Sequence, residues 1–127
     1  MRMKTLTIIA VLLILAGICA VEQMTVSKLT DEALTETKLV TRLIKDGALD
    51  SAKEKTHALD EAWDEHAKRL EVLVDHRSTD DVRYAFSKLL AALDGKDEAA
   101  ALIYAGELEG GIEHVYERQA LTMENIF

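Results

Sequence analysis

The chain has 127 residues, room for one small domain. It has no proline, and aromatics make up 5% of it, which excludes a large aromatic core. Its net charge is −8. Arg2 and Lys4 are the only charges before Glu22, so the rest carries 13 basic against 23 acidic residues, or −10. Such a surface repels nucleic acid, and no basic stripe offsets it. The lone Cys19 cannot close an internal disulfide.

Thr5–Val21, TLTIIAVLLILAGICAV, is uncharged. Its length is near the short end of the ~17–25 residues that span a bilayer as a helix. Positive charge before it and acid after it predict a cytoplasmic N-terminus and an extracytoplasmic domain. An uncleaved signal anchor fits best, in contact with lipid over residues 5–21. Two alternatives remain: a signal peptide cleaved near Ile18-Cys19-Ala20, where Ile18 spoils the small-x-small pattern, and a lipoprotein anchored at Cys19.

The helical pattern continues past Val21. Val26, Leu29, Ala33, Val40 and Leu43 keep heptad-like spacing, with Glu36 in the missing place, to a stop at Gly47. A second helix runs from about Asp50, a plausible N-cap, to about Asp75. Its stripe of Leu49, Ala52, Thr56, Leu59, Trp63, His66, Leu70 and Leu73 is the most regular in the chain. Ser78-Thr-Asp-Asp81 resembles a capping box opening a third helix of about 80–93, which carries Val82, Phe86, Leu89, Leu90 and Leu93. Asp94-Gly95-Lys96-Asp97 is a tight turn. A fourth helix of about 97–117 carries Ala101, Ala105, Leu108, Ile112 and Val115. Gly110-Gly111 inside it marks either fraying or a close contact with another backbone. The expected fold is all-α: a transmembrane helix (residues 1–21) continuing into an antiparallel four-helix bundle (residues 22–127).

Counting levels from the turns places Trp63 beside Ala33, Ala91-Ala92 and Ala99–Ala101, a large ring among small residues. Trp63 and His66 then read as structural core, His66 half-buried and bonded to a carboxylate or backbone group. The same count makes the first hairpin overhang the second by about ten residues, or ~15 Å. That would leave a half-covered stripe of Val40, Leu43, Ile44, Leu49 and Ala52, a candidate partner or dimer surface. The ending LTMENIF, with Leu121, Met123, Ile126 and Phe127, reads as a segment docked under the bundle, or else dipping into the membrane interface or contacting a partner through Ile126 and Phe127.

Candidate chemistry is thin. Glu54-x-x-His57 is half of a di-iron ligand pattern, without its second copy, and reads as a solvated face. Asp75, His76, Glu113 and His114 fall at one end of the bundle. They could hold a zinc-like ion or form a pH-sensitive ion-pair cluster. Neighbouring residues on a helix diverge by ~100°, so structural ion pairs fit better than a metal site. No nucleophile motif, phosphate-binding glycine loop or Cys/His knuckle is present, so neither an enzyme nor a cofactor is expected.

Trp63-x-x-His66, Asp75-His76, Glu113-His114 and the ending Leu121-Thr-Met-Glu-Asn-Ile-Phe127 carry a resemblance. In order and spacing they resemble a family of short, uncharacterised bacterial proteins, a domain of unknown function. Those proteins have one N-terminal membrane segment and a small helical domain ending L-x-x-E-N-I-[LF]. Its relatives often carry proline where this chain has Tyr116. The resemblance implies a membrane-anchored extracytoplasmic helical protein and transfers no activity. The function expected is a scaffold or interaction module binding another membrane or envelope protein, or a second copy. The alternative is a cation- or pH-sensing ligand-binding module using the His76/His114 end.

Overall fold

The computed structural model of the chain describes residues 2–71 and 76–126. These residues form four helices: α1 (Arg2–Lys45), α2 (Leu49–Leu70), α3 (His76–Asp94) and α4 (Glu98–Ile126). No strand occurs among them. Helix α1 packs against α2 and α4, and α3 packs against the same two helices.

Helix α1 is unbroken because no proline or turn signal interrupts it before Asp46-Gly47. Gly47 sits at φ 77°, the left-handed conformation that glycine adopts without penalty. The amides of Gly47 and Ala48 bond back to the carbonyls of Ile44 (3.0 Å) and Leu43 (2.9 Å), a Schellman closure. The α3–α4 turn uses the same closure, with Lys96 bonded to Leu93 (3.1 Å) and Asp97 to Ala92 (2.9 Å). Its left-handed residue is Lys96 (φ 54°), not the neighbouring Gly95. Asp97 then caps α4, its carboxylate accepting from the Ala100 amide at 3.0 Å.

Two expected starts differ. Helix α2 begins at Leu49, after Ala48, with no side-chain cap. Asp50 therefore lies in the first turn, where its charge meets the positive end of the helix. Helix α3 begins at His76, so Ser78 and Thr79 are buried inside it and are not the head of a capping box. The Thr79 hydroxyl bonds back to the His76 carbonyl at 3.0 Å. Helix α4 runs on to Ile126, beyond the expected end near residue 117.

With α2 ending at Leu70 and α3 running from His76, the register of the domain differs from the expected one. Lys53 bonds Asp94 at 2.5 Å and Arg83 reaches Asp64 at 3.5 Å. The end of α3 is thus level with the start of α2, and the expected overhang is absent. Val40, Ile44 and Ala52 are buried, and Leu43 and Leu49 pack half-buried against the core. The stripe foreseen as a partner surface is interior. By the same pairings Trp63 lies level with Arg83 and Tyr84, not with Ala91-Ala92.

The core draws on all four helices. In α1 it is narrow: Val26, Thr30, Ala33, Thr37, Val40 and Ile44 are buried, at 4-3-4-3-4 spacing. Leu29 and Leu43, expected in that stripe, flank it half-buried. In α3 and α4 it is larger, with Phe86, Leu89, Leu108, Ile112 and Val115 fully buried. A fully buried side chain of this kind contributes ~1.5–3 kcal/mol by leaving water. Gly111 explains part of the α3–α4 fit: a Cβ there would lie 3.2 Å from Val82 Cγ2. Gly111 therefore marks a close contact, while Gly110 faces open space.

The first half of α1 is different. Residues 2–22 are exposed. This half is long and apolar enough to cross a membrane, and none of its apolar window is buried.

Candidate functional site

The most distinctive chemistry lies in one layer where α1, α2 and α4 meet. The heptad positions of α1 bring Thr30 inward, and those of α2 bring His66. The stripe of α4 (105, 108, 112, 115) continues by one more step of four to Gln119. Thr30, His66 and Gln119 are all buried.

Their polar atoms are largely paired with one another. The Thr30 hydroxyl lies 2.7 Å from His66 Nε2. It also lies 2.9 Å from its own Val26 carbonyl and 3.3 Å from Gln119 Oε1. A hydroxyl has one proton. With that proton on a carbonyl oxygen, the hydroxyl accepts from His66 Nε2–H, leaving a lone pair on Nδ1. Gln119 Nε2 donates to Ser27 Oγ at 2.8 Å, so the layer ties α4 to α1 at two points. His66 is thus bonded to a hydroxyl, not to the expected carboxylate or backbone group. Burial, with a smaller push from Arg69, lowers its pKa from 6.5 to about 4, so the imidazole is neutral near pH 7.

Two buried nitrogens in this layer have no hydrogen-bond partner among the described residues: Trp63 Nε1 and His66 Nδ1. The two rings meet edge to face, with centroids 5.4 Å apart and planes at 77°. Beside them two clefts open along the α1–α2 seam. One, of about 160 Å³, is lined by Leu29, Glu32, Ala33, Glu36, Leu59, Ala62, Trp63 and His66. The other, of about 250 Å³, is lined by Leu29, Ala62, Glu65, His66 and Arg69. Glu36 is ion-paired with Lys55 across the seam.

His76 is exposed and its Nδ1 lies 3.4 Å from the Glu71 carboxylate. Glu113 and His114 are exposed on α4. Asp75 and Phe127 lie outside the described residues, as do the side chains of Met123 and Ile126. Among the described residues no group of three His, Cys, Asp or Glu side chains could hold a metal ion. Glu54 and His57 are both solvent-exposed on α2, and Leu121 is exposed on α4.

Thr30 and Gln119 were not singled out from the sequence. The signal was spacing alone. Thr30 completes the α1 stripe between Val26 and Ala33, and Gln119 extends the α4 stripe past Val115.

Fold and site together define a small all-helical domain carried on one long helix, with a buried histidine layer at its α1–α2 seam. The chain belongs to the family described as domain of unknown function DUF4363, which it matches over residues 21–126. No curated protein and no solved structure matches it.

Proposed function

We propose that the chain is a single-pass membrane protein whose domain is an antiparallel four-helix bundle on the extracytoplasmic side. It serves there as a non-catalytic interaction module for another membrane or envelope protein. One observation carries the reading. The apolar, wholly exposed half of α1 and the helix that enters the core at Val26 are a single element. An exposed apolar helix of this length is costly in water and suited to lipid. Arg2 and Lys4 before it and Glu22 after it favour a cytoplasmic N-terminus. The pairings 53–94 and 64–83 between α2 and α3 run in opposite directions along the two helices, as do 88–107 and the approach of Val82 to Gly111 between α3 and α4, which supports the antiparallel arrangement.

The test combines topology and capture. In a Cys19→Ser background, a single cysteine is placed at the exposed Ile103 and treated with a membrane-impermeant maleimide on intact cells. Labelling before lysis is expected. Labelling only after lysis reverses the topology, and release of the chain by carbonate removes the anchor. Photo-crosslinkers at exposed positions of α2–α4 should give one discrete adduct. A smear at every position would argue against an interaction module.

A further inference from the structure

We propose that the cleft between α1 and α2 beside Trp63 seats the alkylammonium group of a partner protein's lysine. This inference rests on the interaction-module reading and names the anchor that such a partner would use.

The cleft has the size of a short alkyl chain, about 160 Å³, and opens at the exposed Ala62. Its apolar wall suits the methylene stem of a lysine, which buries readily while its charged head finds polar groups. Its two carboxylates suit positive charge; the Trp63 Nε1–H, a donor without a partner among the described residues, is the exception. Glu32 and Glu36 stand one turn apart on α1 and both line the cleft, which no lysine or arginine lines. Glu36 already binds Lys55 of the same chain, an example of the proposed contact. Glu32 has no ion pair among the described residues. The third acceptor, in the tautomer that donates from Nε2 to Thr30, is the lone pair on His66 Nδ1, which has no partner among the described residues and belongs to a side chain that is 6% exposed. Nδ1 itself is closed from solvent, so the ammonium meets Glu32 and Glu36 first and reaches Nδ1 only where the seam opens.

An ammonium carries three donors and no acceptor, which complements the two carboxylates; an anion would be repelled by them. A lysine suits it better than an arginine. The acceptors come from two helices, whereas the planar guanidinium fork asks for a coplanar pair. The chain's charge of −8 favours approach of a basic partner.

The experiment uses the full chain in phosphatidylcholine nanodiscs. The probe is lysine capped as its N-acetyl, N-methylamide derivative, with capped norleucine as the uncharged counterpart. Trp63 is the sole tryptophan, so its emission and its indole N–H resonance report the cleft directly. A saturable change with capped lysine is expected, weaker by about tenfold with capped norleucine and by about fivefold in Glu32→Gln. Ala62→Phe, at the exposed mouth, should abolish it while the circular dichroism stays unchanged. Equal binding of capped norleucine, an unaffected Glu32→Gln variant or a response linear in probe concentration would each overturn the proposal. So would equal binding of capped arginine, or binding of free butylamine without capped lysine. A chain that captures a partner yet ignores capped lysine keeps the interaction-module reading and loses this cleft.

Discussion

The α1–α2 seam and the α3–α4 seam are built from the same helix periodicity but with different materials. The α3–α4 seam is apolar: Phe86, Leu89 and Leu93 face a domain interior shared with Leu108, Ile112 and Val115, and Gly111 brings the backbones close. The α1–α2 seam sets threonines and a histidine among alanines and valines. Clefts open along it, and among the described residues it holds two nitrogens without a partner. Dispersion and burial reward the first arrangement at every contact. The second forgoes part of that reward for a polar layer that joins three helices. Buried polar groups specify a unique pairing when satisfied and are costly when not. Stability and specificity are thus divided between the two seams.

The largest expected effect breaks the apolar seam. Phe86→Ala should cost ~3–5 kcal/mol, the usual range for an emptied aromatic site. Urea unfolding followed by circular dichroism measures it. A loss below about 1 kcal/mol would mean that Phe86 is not the anchor its burial indicates.

The next effect distinguishes the polar seam by pH. The folded chain holds His66 neutral, with a pKa lowered from 6.5 to about 4, so the unfolded chain takes up the proton more readily. This contribution is fully present above pH 6.5, declines as pH falls from 6.5 towards 4, and is flat below. The gap between the two pKa values corresponds to ~3 kcal/mol. Stability curves at several pH values, compared with those of His66→Phe, isolate it. An identical pH dependence in that variant would assign the effect to carboxylates elsewhere.

Smaller effects separate neighbouring positions. Gly110→Ala should stabilise by ~1 kcal/mol, because the helix gains propensity and the new methyl meets open space. Gly111→Ala adds its methyl 3.2 Å from Val82 Cγ2 inside the core and should forfeit that benefit. Equal melting temperatures for the two variants would deny the close approach. Lys96→Gly should stabilise by ~0.5–1 kcal/mol, relieving the left-handed φ of 54°. Thermal unfolding reads it as a rise of a few degrees.

The sequence made parts of this legible for identifiable reasons. Gly47 ends α1 because only a residue tolerant of positive φ fits there comfortably, and that is visible in one letter. The apolar stripes of α3 and α4 announce themselves because their members are large. The α2–α3 connection carries no glycine or proline, and Ser78-x-x-Asp81 imitated a helix start a few residues too late. That error moved the level of Trp63 on α3 and created an overhang that does not exist. The polar layer was half legible. His66 stood in its stripe, but Thr30 and Gln119 are polar letters at core positions, and an apolar pattern is blind to them. Their meaning comes from what faces them, and facing residues depend on register.

The continuity of α1 has a mechanical consequence. A helix of 44 residues at ~1.5 Å per residue is a shaft of about 66 Å, and it contains no joint between its apolar half and Thr30. Twist applied at one end therefore arrives at the other. One residue inserted between Gly17 and Val26 would turn the two halves by ~100° relative to each other, whereas seven would restore their alignment to within ~20°. The azimuth at which the apolar half presents its faces is clocked to the contact between Thr30 and His66.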